Sequence, residues 1–141
     1  MNDNQIWSIT ESQDGFLWVG TQGDGLNRLD RRTGQFKHYA HEEGNEPSFS
    51  DNFIRTLHED RRENIWIGAS GGGLDKFEPL NKTFTHYRHQ EDQIDSLSSN
   101  KVYDILEDSQ DSLWLAIFDG GLNKFQPDTQ AFTHLRHDNN N

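Results

Sequence analysis

The chain spells nearly the same phrase three times, at an interval that never varies. Trp18, Trp66 and Trp114 stand 48 residues apart, and Phe36, Phe84 and Phe132 keep that spacing, as do His38, His86 and His134. Around the tryptophans the copies run Gly15 to Arg31, Glu63 to Pro79 and Asp111 to Pro127, with no gap needed to align them. A fixed period of this length is the mark of a repeat architecture, in which each unit buries its apolar faces against its neighbours. Three periods take up almost all of the 141 residues, so the folding unit is a module of 48.

Each module holds four short apolar runs. The first is Ile6–Ile9, Ile54–Leu57 and Val102–Leu106, and the second Leu17–Val19, Ile65–Ile67 and Leu113–Leu115. The third is Leu26–Leu29, Leu74–Phe77 and Leu122–Phe125, and the fourth Phe36–Tyr39, Phe84–Tyr87 and Phe132–Leu135. All have strand length, are rich in aromatic and branched residues, and are bounded by turn formers. Gln13-Asp14-Gly15 fits a tight hairpin, because Asp-Gly tolerates the positive φ that such turns require. Gly23–Gly25, Gly71–Gly73 and Asp119–Gly121 serve the next turn, while Pro79 and Pro127 close the third run. No helical stripe interrupts the pattern, so the chain is all-β. Four antiparallel strands per unit, strung in tandem, describe the blades of a β-propeller. The expected blades are residues 1–52, 53–100 and 101–141. Between them, 41–53 and 89–101 connect the outer strand of one blade to the inner strand of the next. Ser48-Phe-Ser-Asp-Asn52 and Ser96-Leu-Ser-Ser-Asn100 recur in those connectors, which Phe49 and Leu97 would pin to the core.

Apolar content of 30% and a mean hydropathy of −1.01 would suit a disordered chain, but aromatic residues at fixed intervals require an ordered core. A net charge of −11 argues against nucleic acid, whose phosphates call for clustered Lys and Arg. With no cysteine there is neither disulfide nor thiol chemistry. No run has the length of a membrane span, and Met1-Asn-Asp-Asn-Gln5 lacks the features of a signal peptide. The sequence opens at the start of one repeat and stops late in another, in Asp138–Asn141, and so reads as a piece of a longer protein.

Val-x-x-Ile-x-Glu-Asp, Leu-Trp-x-Gly, Gly-Gly-Leu-x-Lys-Phe-x-Pro, Phe-Thr-His-Tyr and Ser-Leu-Ser-x-Asn together resemble the two-component regulator propeller repeat. The resemblance extends over essentially the whole chain. It implies an extracytoplasmic sensing module of bacterial hybrid histidine kinases or diguanylate cyclases. In such receptors many blades build one or two closed propellers, usually of about seven blades, ahead of a membrane span and a cytoplasmic output domain. The implied localisation is therefore periplasmic, as part of an inner-membrane receptor, and oligosaccharides are among the ligands the family is known for. Departures from the pattern are Arg31 in place of Pro79 and Pro127, and Ala116-Ile-Phe118 in place of Gly20-Thr-Gln22 and Gly68-Ala-Ser70. The resemblance carries no catalytic residue, and the chain is read as a non-enzyme without cofactor.

Candidate chemistry is sparse. His38/His41, His86/His89 and His134/His137 lie three apart on strands, hence about 10 Å apart and on opposite faces, which does not chelate one ion. Packing of the blades is the role expected of them. The acidic turn Glu107–Asp111 lacks the glycine and terminal glutamate of an EF-hand. Ser12-x-Asp14-Gly15-x-x-Trp18 resembles the Asp-box turn of sialidase propellers, a structural device. Gly20-x-x-Gly23-x-Gly25 is flanked by strands and has no helix N-terminus to hold a phosphate.

Ligands of propellers enter at the mouth of the central channel, so Trp7, Arg55 and Tyr103, equivalent positions on the inner strands, are the candidate ligand-binding residues. Ile117, Phe118 and Asp119 join them from the same face. The alternative for all six is that they fill the channel. Trp18, Trp66 and Trp114, with Phe36, Phe84 and Phe132, are expected to be structural, each tryptophan packing between blades. Propellers need about four blades or more to close. Three would form an arc, and self-association of two chains, blade three of each against blade one of the other, would make a six-bladed ring. Two functions then compete: a ligand-sensing module, or a propeller segment that is structural or binds proteins and takes no small ligand.

Overall fold

A computed structural model describes residues 3–44 and 48–137; positions 1–2, 45–47 and 138–141, which include the ends of the first and third expected blades, lie outside the described residues. Twelve strands follow one another in it: β1 (Ile6–Glu11), β2 (Leu17–Thr21), β3 (Leu26–Asp30), β4 (Gln35–Tyr39), β5 (Ile54–Glu59), β6 (Ile65–Ala69), β7 (Leu74–Glu78), β8 (Thr83–Tyr87), β9 (Val102–Glu107), β10 (Leu113–Ile117), β11 (Gly121–Gln126) and β12 (Ala131–Leu135). They make three four-stranded antiparallel sheets, β1–β4, β5–β8 and β9–β12, each a simple meander. The inner strands β1, β5 and β9 pack side by side from blade to blade. The result is an open arc of three propeller blades.

The turn between the second and third strands of each blade needs glycine. Gly25, Gly73 and Gly121 have φ of 77°, 83° and 76°, and a Cβ on Gly73 would stand 2.5 Å from the Tyr87 carbonyl oxygen.

Each joint between blades repeats one motif. Trp18 of β2 meets Phe77 of the next blade edge to face at 5.8 Å, and Tyr39 closes the group at 5.5 Å from Phe77. One repeat on, Trp66 meets Phe125 at 5.5 Å and Tyr87 lies 4.9 Å from that ring. Both tryptophans are buried, and Phe49 and Leu97 anchor the connectors in the same two clusters. Edge-to-face packing of such rings adds about 0.5–1.5 kcal/mol per pair to what their burial contributes. The absence of a side chain on Gly20 and Gly68 lets the blades close up: a Cβ there would lie 2.5 Å from Ile54 Cγ2 and 2.8 Å from Val102 Cγ1, respectively.

Two structural expectations fail at the ends of the arc. Trp114 does not pack between blades: it is half-buried, with Lys124 Nζ 5.2 Å from its ring, because none of the described residues forms a further blade against it. Phe36 is 45% exposed, whereas its equivalent Phe132 is 6% exposed, because the described residues place a blade against Phe132 and none against Phe36. The same packing code yields core or surface according to whether a neighbour is present.

Candidate functional site

The inner strands carry an irregularity that periodicity does not reveal. Pairing of β1 with β2 jumps between Ile6 and Ser8, that of β5 with β6 between Ile54 and Thr56, and that of β9 with β10 between Val102 and Asp104. Trp7, Arg55 and Tyr103 are the residues skipped. A β-bulge removes one residue from the ladder and re-aims its side chain, which is why bulges recur beside functional sites. Here three bulges in register free three equivalent side chains along adjacent inner strands.

Those side chains stack. The Arg55 guanidinium carbon lies 4.5 Å from the centroid of the Trp7 ring and 4.3 Å from that of Tyr103. Tyr103 in turn stacks on Phe118, with centroids 5.2 Å apart and 29° between the planes. Lys101 Nζ sits 5.1 Å from the Phe118 ring. All three blades thus contribute to one ladder, Trp7–Arg55–Tyr103–Phe118–Lys101, whose members are half-buried or exposed. Each cation–π contact of this kind stabilises by about 0.5–1 kcal/mol. With a ring on each face, Arg55 is held in one plane, and the N–H donors at the edge of the guanidinium are left to meet a ligand.

Of the six residues singled out from the sequence, four therefore come together: Trp7, Arg55, Tyr103 and Phe118. Ile117 is placed elsewhere, buried in the core between blades two and three, since strand alternation turns it to the side opposite Phe118. Asp119 is exposed at the turn after β10, with φ of 59°, and is not part of the stack. Lys101 was missed. The signal for it lies just before the third inner strand, where its backbone carbonyl accepts from the Phe118 N–H at 3.0 Å and ties the two residues to one rim.

His41, His86, His89 and His134 serve the connectors between blades, whereas His38 meets the Asp24 carbonyl in the turn after β2 and His58 meets Glu107 of β9. Nδ1 of His41 and of His89 donates to the carbonyls of Phe49 and Leu97 at 2.6 and 2.7 Å, and His134 Nε2 bonds the carbonyl of Ser96. His86 lies 2.6 Å from Asp75, which also receives the Ser50 N–H at 2.7 Å. Among the described residues no group of three or more His, Asp and Glu could hold a metal ion.

At the opposite end of the blades, Asp60 and Asp108 organise the turns before β6 and β10. One oxygen of Asp60 accepts the amides of Arg62 and Asn64, both at 2.9 Å, and the other accepts the indole N–H of Trp66 at 2.7 Å. Asp108 repeats this with Gln110, Ser112 and Trp114, whose indole N–H is the main cause of its carboxyl being held below the usual carboxylate range. In the first blade Ser12 takes that place, donating to Asp14 and the Phe16 carbonyl. Glu59, at the joint of blades one and two, is pushed up by burial and by nearby Asp14, Glu63 and Asp60, although it accepts the Gln13 N–H. These turns are structural.

Comparison with known proteins matches this architecture. The chain is 27% identical to the extracellular domain of a hybrid two component system from B. thetaiotaomicron, over 96% of this chain and 19% of that one, with a TM-score of 0.87. A second such domain from the same organism is 20% identical over 96% and 25% of the two chains, with a TM-score of 0.56. Virginiamycin B lyase from Staphylococcus aureus is 13% identical over 96% and 43%, with a TM-score of 0.70. The last two are similar in fold alone, and the chain spans less than half the length of each. No curated protein matches it. Among the described residues no helix is long and apolar enough to cross a membrane. The model of the two component regulator propeller matches at residues 1–23, 48–71 and 96–119, each time across the first two strands of a blade and together over just more than half of the sequence. On that threefold match, and on a fold of three propeller blades, the chain belongs to the two component regulator propeller family.

Proposed function

We propose that this chain is a ligand-sensing part of the extracytoplasmic region of a bacterial two-component receptor, and that its ligand rests on the ladder Trp7–Arg55–Tyr103–Phe118. The observation that carries this reading is the set of three bulges in register, which withdraw one residue per blade from the ladder of hydrogen bonds and assemble them into one surface. Stacked rings offer an apolar platform for the flat face of a sugar, and Arg55 and Lys101 add donors for hydroxyl or carboxylate oxygens. Two cations at one rim of a chain with net charge −11 favour an acidic oligosaccharide over a neutral one. The chain itself carries out no reaction; it reports occupancy to an output domain, a kinase or a diguanylate cyclase, across the inner membrane.

A thermal-shift screen with acidic and neutral oligosaccharides tests the reading. One sugar class should raise the melting temperature by several degrees, and Arg55→Ala and Tyr103→Ala should each abolish the rise. Indifference to every sugar would instead favour a propeller segment that is structural or binds proteins.

A further inference from the structure

The joint between blades one and two lacks two contacts that the joint between blades two and three has. Asp60 and Asp108 accept the indole N–H groups of Trp66 and Trp114 at 2.7 and 2.8 Å. Their equivalent in blade one is Ser12, whose hydroxyl donates instead to Asp14 and to the Phe16 carbonyl. Trp18 is nevertheless seated as Trp66 is. Its ring makes angles of 70° with Phe77 and 34° with Tyr39, against 66° and 29° for Trp66 with Phe125 and Tyr87. The indole N–H of Trp18 therefore points to the Ser12 turn, where it meets no acceptor among the described residues, in a side chain only 2% exposed.

The second missing contact is a cation. Glu107 of blade three is met by His58 Nε2 at 3.1 Å and by the Arg61 guanidinium at 3.8 Å. One period earlier those two positions are Thr10 and Gln13, so Glu59 receives only the Gln13 amide, at 2.9 Å. Burial, with Asp14, Glu63 and Asp60 nearby, holds the Glu59 carboxyl above its usual range. Gln13 adjoins Ser12, so the lone donor and the lone carboxylate face one turn.

Both groups line a single groove. Between blades one and two it measures about 360 Å³, whereas its counterpart at the next joint, lined by Trp66, Asp60 and Glu107, measures about 120 Å³. Small-molecule sites begin at about 300 Å³, so the first groove has the room and the second does not. Two cations reach the larger groove and both are engaged, Lys76 with Glu78 at 2.7 Å and Arg62 with Asp128 at 3.5 Å. Asp14, Glu63 and Glu78 leave its rim acidic, and Leu80, 92% exposed beside Pro79, gives it an apolar edge.

We propose that this groove binds a small organic ammonium ion that carries its own oxygen acceptor, the ammonium donating to Glu59 and the oxygen accepting from the Trp18 indole N–H. The ligand then stands in for what Asp60, His58 and Arg61 supply within the chain at the next joint. An amino sugar has this chemistry, a cationic nitrogen next to neutral hydroxyl oxygens, with a C–H face for Pro79 and Leu80. A free amino acid suits the groove less, because its carboxylate would be repelled by Asp14 and Glu63. The groove lies at the end of the blades opposite the Trp7–Arg55 ladder, so the two sites stand independently.

Titration of the 141-residue chain with D-glucosamine at neutral pH, followed on the indole signals of a nitrogen–proton correlation spectrum, tests the site. The Trp18 signal should move and saturate. Trp66 and Trp114, whose N–H groups already have carboxylate acceptors, should stay in place, as should Trp7. N-acetylglucosamine keeps the hydroxyls without the charge, and cyclohexylamine keeps the charge without an oxygen. Each gives up one contact and should bind at least about tenfold more weakly. Glu59→Gln should weaken glucosamine by a similar factor and remove its advantage over N-acetylglucosamine. Ser12→Asp gives blade one the acceptor of the other two blades, so the Trp18 signal should be displaced without ligand and glucosamine binding should be lost. Thr10→His with Gln13→Arg copies blade two at the other contact and should abolish binding with Ser12 intact; unchanged Trp66 and Trp114 signals certify the fold of each variant. A Trp18 signal that glucosamine does not move would overturn the proposal and leave the indole to water. Equal affinities for glucosamine and N-acetylglucosamine, or binding undiminished in folded Ser12→Asp, would overturn it as well.

Discussion

Asp60→Ala is the most informative change outside the ladder. The Asp60 carboxylate is 8% exposed and accepts four donors: the Arg62 and Asn64 amides at 2.9 Å, the Asn64 side-chain amide at 3.0 Å and the Trp66 indole at 2.7 Å. Arg62 and Asn64 are near enough to solvent for water to replace the lost acceptor. Trp66, at 1% exposure, has no such recourse. Leaving a buried donor without a partner costs about 1–3 kcal/mol, and loosening the turn adds to that, for a total of about 3 kcal/mol. In a chain of this size the melting temperature should then fall by about 10 °C. Thermal and urea unfolding followed by near-ultraviolet circular dichroism, at matched protein concentration, read the effect. Asp108→Ala is the internal control: Asp108 accepts the equivalent two backbone amides and indole N–H, lacking only a counterpart of the solvent-accessible Asn64 side-chain amide, but Trp114 is half-buried, so water can take over the indole and the loss should be clearly smaller. Equal losses in the two variants, or a loss below about 1 kcal/mol for Asp60→Ala, would refute the idea that burial of the indole sets the cost.

Three further outcomes are expected. Trp66→Ala should destabilise by about 3–5 kcal/mol, because it empties the centre of the joint between blades two and three, whereas Trp114→Ala should cost far less; urea midpoints compare them. Glu59, held above its ordinary value mainly by burial, favours folding when protonated, and that contribution disappears as pH rises through its folded value. Glu59→Gln should therefore melt higher than wild type at neutral pH and converge with it below about pH 4. Gly68→Ala should separate blades two and three and lower the melting temperature, since its methyl would meet Thr56 Cγ2 at 2.5 Å and Val102 Cγ1 at 2.8 Å.

Strands and turns were legible because alternation and turn chemistry are local. The joints could be read as well, since Trp18 and Trp66 recur at the period at which Phe77 and Phe125 meet them. What alignment of the repeats could not supply was context. Trp114 and Phe36 carry the same letters as their buried equivalents, but a repeat does not say whether it has a neighbour. Ile117 and Phe118 were grouped as one departure from the pattern, although alternation along β10 sends one to the core and the other to the rim. The bulges at Trp7, Arg55 and Tyr103 stayed hidden because a bulge shifts backbone pairing without any signature in side-chain type. Position alone pointed to those three residues; their stacking, and the part Lys101 plays in it, emerge only from the assembled blades.

The four tryptophans make a direct test of the ladder, because their indole N–H groups give four resolvable signals in a nitrogen–proton correlation spectrum. Titration with the oligosaccharide class selected by the thermal-shift screen should move the Trp7 signal and leave Trp18 and Trp66, buried in the joints, in place. Arg55→Ala should abolish that movement. A ligand that binds while the Trp7 signal stays still, or that moves Trp7 equally well without Arg55, would contradict the assignment of the ladder as the sensing surface.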